Sequence, residues 1–195
     1  MKKIFFSVAF SMLFCGLYGQ NYLMNPGQDG AHITGTYSSP SFVSLYGISP
    51  GYTWNGRLSV NLNYVLQRVS FFGISESANA LGPSISYLLN KQGASSFPID
   101  VMAQGAYSYN WADGQSANTA TLGLGLFHSI VASSTVTIVP GFGINYVNIS
   151  QDGFSDDGTI YQASVAVKFG DFYIQPSLAF DADADQFTLG AGYIF

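Results

Sequence analysis

The sequence predicts an all-β fold, a transmembrane antiparallel up-and-down β-barrel of ten strands, with eight as the alternative. Three observations carry this. Charged residues make up 9% of the chain, far below the ~25% usual in a soluble domain. No run after the N-terminal leader approaches the ~20 apolar residues a membrane helix needs. Apolar residues instead recur at every second position, most plainly in the terminal stretch, where Phe187, Leu189, Ala191, Tyr193 and Phe195 share one face. In a soluble domain such a terminal strand is an edge. A closed barrel pairs it with the first strand and turns its apolar face to lipid.

The leader comes first. Met1-Lys2-Lys3 is a basic n-region, Ile4 to Gly16 is apolar, and Leu17-Tyr18-Gly19 ends on a small residue, so residues 1–19 are expected to be a cleaved signal peptide. Phe14 before Cys15 is a poor lipobox, and cleavage after Gly19 leaves no cysteine for disulfides or thiol catalysis. Without Lys2 and Lys3, four basic residues face eleven acidic ones, a formal charge of −7 that disfavours nucleic acid as a partner. Residues 20–30 are then a periplasmic N-terminal segment and 31–195 the barrel.

Each element of the barrel follows one pattern, alternation and then a turn. Ala31–Tyr37 sets Ile33 and Tyr37 against His32, Thr34 and Thr36. Ser41–Trp54 ends at Asn55-Gly56, the strongest short hairpin signal, and Arg57–Phe71 alternates Leu58, Val60, Leu62 and Tyr64 with Ser59, Asn61 and Asn63. Strands follow at 80–90, 97–111, 117–131, 135–150, 159–169, 172–181 and the terminus. Connectors at Asn55-Gly56, Lys91–Ser96, Ser133-Ser134 and Gly170-Asp171 read as short periplasmic turns. Those around Glu76, Asp113, Asp152–Gly158 and Asp181–Asp185 read as longer external loops. An even count requires Ala31–Tyr37 to close the barrel against Phe187–Phe195. Pro50, Pro83, Pro140 and Pro176 conflict with this pattern, because a closed barrel has no free edge for them.

A soluble barrel also alternates, but would need a charged exterior. The polar face here is Ser, Thr, Asn, Gln and Gly, with Arg57, Asp100, Lys168 and Asp181 its only charges. The expected lumen is therefore small and polar, lined by Asn61, Asn63, Ser84, Gln104, Thr121, Asn145, Ser164 and Gln175, among others. Arg57, Asp100 and Lys168 should meet near the periplasmic end, paired because isolated charges are costly there, as a gate or a structural plug.

Eight of the eleven acids fall in the proposed external loops. Asp152, Asp156, Asp157, Asp181, Asp183 and Asp185 are the candidates for weak divalent-cation binding. Asp181-Ala-Asp183-Ala-Asp185 opens like an EF-hand, but Gln186 and Gly192 stand where its glycine and glutamate belong, so that match fails. Neither His32 nor His128 is placed to reach the acidic loops, so no enzyme activity and no cofactor is expected.

The leader, the strand pattern and the aromatic terminus resemble the small outer-membrane β-barrel proteins of Gram-negative bacteria, over roughly Ala31 to Phe195 and as architecture alone. The resemblance implies outer-membrane localisation, a C-terminal recognition signal, assembly by the barrel machinery, and outer-membrane lipids and lipopolysaccharide as surroundings. It carries over no functional residue. Two functions stay open: a narrow passive pore for water, ions or small polar solutes, or a non-conducting structural or adhesin-like barrel displaying acidic external loops.

Overall fold

A computed structural model describes residues 20–39, 43–71, 74–93, 97–151, 153–180 and 185–195. In chain order they form β1 (Gly30–Ser38), β2 (Val43–Trp54), β3 (Leu58–Phe71), β4 (Ile74–Asn90), β5 (Asp100–Ala112), β6 (Gln115–Phe127), the short β7 (Ile130–Val131), β8 (Val136–Gln151), β9 (Phe154–Phe169), β10 (Phe172–Phe180) and β11 (Asp185–Ile194). Neighbours pair antiparallel in sequence order, with β7 continuing the β6 ladder on β8. β1 closes the sheet on β11, with His32 opposite Ile194 and Ser38 opposite Thr188. Ten strands thus wall a closed barrel, as the alternation and the even count required.

The turns obey their backbone chemistry. Asn55 and Gly56 both have positive φ, 53° and 61°, and so do Asp113 and Gly114, at 41° and 76°. These are the mirror-image turns whose twist suits a two-residue hairpin.

All four prolines lie inside strands, and each is accommodated in the same way. Pro50 stays in register with Ile33 of β1, while the β2–β3 ladder lapses between Ile48↔Tyr64 and Gly51↔Asn61. Pro83 faces Leu62, and the β4–β5 ladder lapses between Leu81↔Tyr109 and Ser84↔Ala106. Pro176 faces Leu189, with the lapse toward β9. Pro140 faces Val165, and the lapse on its other side separates β7 from β6. A missing N–H thus breaks one ladder locally, and pairing resumes in the same register. The barrel needs no free edge for them.

Two expected loops are strand instead. β3 and β4 remain paired to Phe71↔Ile74, which puts Glu76 opposite Val69. β8 and β9 remain paired to Gln151↔Phe154, which puts Asp156 and Asp157 in β9. The polar composition of these segments imitated a loop because both hairpins run past the apolar band, where either face can be polar.

The outer surface is built for hydrocarbon. Leu62, Ile85, Leu122, Leu124, Phe142, Ile144, Val165, Ile174, Leu178 and Leu189 are exposed around it. One aromatic girdle (Trp54, Tyr87, Phe169, Phe172, Tyr193, Phe195) rings the end that holds the described N-terminal segment and Phe195. Another (Tyr37, Tyr46, Tyr64, Tyr107, Trp111, Tyr146, Phe180) rings the opposite end.

Candidate functional site: the barrel lumen

The lumen is stratified into three layers, because the inward positions change chemistry along most strands. The middle layer is polar and matches the small polar lining read from sequence. Asn61 links the His32 ring at 2.6 Å to the Ser84 hydroxyl at 3.3 Å, and the Gln104 amide donates to Asn145 at 2.6 Å. Ser49 bonds Asn63, and Thr34 bonds the Tyr173 hydroxyl. Both amide atoms of buried Gln162, with Asn63 Nδ2, Asn145 Nδ2 and Thr121 Oγ1, have no protein partner. Buried polar atoms of this kind are ordinarily satisfied by water.

At the end opposite the chain's C-terminus, apolar side chains join the inward positions, interleaved with buried Ser38, Gln67, Asn110, Thr119 and Gln186. Leu45, Val65, Ala78, Ala80, Ala112, Ala117, Val147, Ile149, Ile160 and Ala179 pack into one buried cluster. Every spanning strand except β1 and β11 contributes to this ring.

At the other end the lumen is filled by the chain itself. Gln20–Leu23 forms a single 3-10 turn inside the mouth, and Asn21, Tyr22, Leu23 and Met24 are all buried. The Tyr22 ring stacks on Phe127 with centroids 4.2 Å apart, and its hydroxyl donates to Gln175 at 2.8 Å. Leu88, Met102, Val139, Ala166, Tyr173 and Ile194 complete this second apolar layer. The segment is also held by its backbone: Lys91 Nζ donates to the Tyr22 carbonyl and Lys168 Nζ to the Leu23 carbonyl, each at 2.9 Å. Asn21 Nδ2 donates to the Arg57 carbonyl at 2.7 Å. The chain then crosses so close to the β2–β3 turn that a Cβ on Gly56 would sit 2.2 Å from the Asn25 carbonyl oxygen.

The three charges expected to cluster do lie at this end, in different roles. Asp100 is fully buried, but its ion-pair partner is Lys91, at 3.2 Å. Lys168 grips the N-terminal segment. Arg57 sits in the β2–β3 turn rather than opening a strand, and its backbone does the bonding: its N–H donates to the Trp54 carbonyl and its carbonyl accepts from Leu88 N–H, each at 2.9 Å. Alternation reaches only Asp100 and Lys168, which lie in β5 and β9, and gives Arg57, in a turn, no face. It could not say that Lys91, in a turn, would outcompete Arg57 and Lys168 for Asp100. The plug was missed because Tyr22-Leu23-Met24 is too short to show a period; its only signal was an apolar cluster in a segment expected to hang in the periplasm.

Of the cation candidates, Asp152, Asp181 and Asp183 lie outside the described residues. Asp156, Asp157 and Asp185 are in strands, and no group of three or more His, Cys, Asp or Glu among the described residues is arranged to hold a metal. Asp156 and Asp157 point to opposite faces of β9, opposite Ile149 and Asn148, which prevents the two from chelating one ion together.

No protein-family model matches the sequence, and no curated protein matches it. The fold does have solved counterparts. The β domain of the Bordetella autotransporter BrkA superposes with a TM-score of 0.54 at 12% identity, covering 88% of this chain and 100% of that one. The N-terminal barrel of Pseudomonas aeruginosa OprF (TM-score 0.34, 16% identity, 87% and 99% covered) and neisserial surface protein A, NspA (0.38, 15%, 86% and 96%), are also similar. At these identities the likeness is one of fold, that of an outer-membrane β-barrel.

Proposed function

We propose that this chain is an outer-membrane barrel with a sealed lumen, one that acts through the rim it displays rather than by conducting solutes. The observation that carries this reading is the pair of apolar layers. The plug segment fills its end of the lumen, and the far cluster sets apolar side chains into the other, with the polar middle between them. The orientation follows from the same end. The N-terminal plug and the Lys91–Asp100 pair lie at the end that carries the short turns at 55–57 and 170–171. Outer-membrane barrels carry short turns on the periplasmic side and their longer hairpins outside, and β3–β4 and β8–β9, which run past their neighbours, lie opposite the plug end. That end is then periplasmic, and the rim bearing the β3–β4 and β8–β9 hairpins is external.

Two measurements test the reading. The purified barrel in a planar bilayer should show no unitary currents at any voltage it tolerates; stable ion-selective steps would replace the sealed barrel with the pore. A Ser155→Cys variant should react with a membrane-impermeant maleimide on intact cells, and protection there with labelling only in lysed cells would reverse the orientation.

A further inference from the structure

The external rim is uneven in a way that points to a partner. β9 is paired to β8 along its whole length, from Phe169↔Val136 to Phe154↔Gln151. Its pairing with β10 stops at Tyr161↔Phe180, where β10 turns toward β11. Phe154–Ile160 therefore has one strand neighbour among the described residues, and Phe154 through Thr159 are all exposed. In an antiparallel ladder alternate residues direct their N–H and C=O to either side, so roughly half of these residues turn backbone groups toward a side that holds no strand among the described residues; of these groups, the Asp157 N–H donates to the Asp156 carboxylate at 3.0 Å. The corresponding free edge on β4, Ile74–Ala78, is shorter.

We propose that the Phe154–Ile160 edge is a docking site for an extended, cationic polypeptide segment, which adds to the sheet as a further strand. The proposal rests on the sealed-barrel reading for its outward orientation. Charge selects the occupant. Asp156 and Asp157 are consecutive, so one lies on each face of the edge. A second copy docking edge to edge would bring these carboxylates together, and like charges directly opposite destabilise a ladder. An incoming strand with adjacent basic residues answers both. Phe154, at the tip, offers that strand an exposed aromatic ring.

The probe is a fluorescent synthetic strand-forming peptide with a central Lys-Arg pair, titrated onto the folded full-length barrel in detergent micelles. Saturable binding is expected, with slowed amide exchange confined to Phe154–Ile160. The same peptide N-methylated at alternate backbone nitrogens should bind roughly tenfold or more weakly, since it loses several ladder bonds. The Asp156→Asn/Asp157→Asn pair should weaken binding and remove most of its salt dependence. Equal affinity for the N-methylated peptide or for an acidic peptide of the same pattern would overturn the proposal, as would no binding or unchanged exchange at the edge. Conductance is read separately: a barrel that conducts yet binds the peptide loses the seal and keeps the edge, while a silent barrel that ignores the peptide does the reverse.

Discussion

Asp100 is a carboxylate with no exposed surface, held by the Lys91 ammonium and by the backbone N–H of Gln92. Removing one member of such a pair leaves the other charge poorly solvated, which typically costs about 3–5 kcal/mol, whereas replacing both with apolar groups is often neutral. Asp100→Leu should therefore destabilise the folded barrel by about 3 kcal/mol, and Lys91→Met with Asp100→Leu should recover most of that loss. Guanidinium unfolding in detergent, followed by tryptophan fluorescence, reads both. Lys168 is the contrasting case. Its visible work is one charge-assisted bond to the Leu23 carbonyl, so Lys168→Met should cost only about 1.5 kcal/mol. Residue-level placement was legible in the sequence wherever alternation governed it, as for Asn61, Gln104 and Asn145. It was illegible where a turn residue such as Lys91 reaches back into the mouth, because period-two reasoning assigns turns no face.

At the scale of elements, the four proline lapses make a quantitative point. Restoring an N–H at Pro176 offers one ladder bond, a net gain of about 0.5–1.5 kcal/mol. Losing proline frees the unfolded chain by about 0.4–1 kcal/mol in the opposite sense. Pro176→Val should thus leave the unfolding midpoint nearly unchanged, within about 0.5 kcal/mol; a large loss would mean that proline shapes the wall actively. Strand existence, direction and closure were legible because ten alternating segments and an even count leave one way to shut the sheet. The β8–β9 hairpin was not, since its Ser155–Thr159 segment is polar on both faces and only pairing reveals it as strand. The plug is an element of another kind, a few residues that bury a whole aromatic ring. Tyr22→Ala removes the Phe127 stack and the Gln175 bond together, and should cost about 3 kcal/mol. Gel mobility after graded heating should show the variant losing its folded form at lower temperature.

For the whole molecule, the stratified lumen makes a prediction that neither layer makes alone. The polar middle can carry ions only if both apolar layers open, because a dry constriction in series blocks a path whatever the width elsewhere. Opening the plug with Tyr22→Ala and Met24→Ala should leave the ring of Val65, Val147, Ile149 and Ile160 intact. Opening the ring with Ile149→Ser and Ile160→Ser should leave Tyr22 seated against Phe127. Each variant on its own should remain silent in a planar bilayer, and the four-fold combination should conduct. Its selectivity should favour cations weakly, because the exposed acidic residues of the external rim, Asp156, Asp157 and Asp185, attract them. Steady current from the plug variant alone would show that the external ring yields to water. Current from the ring variant alone would show the same of the plug. Silence from the combination, in a barrel that still shifts on heating, would mean that the middle layer's own hydrogen bonds close the path.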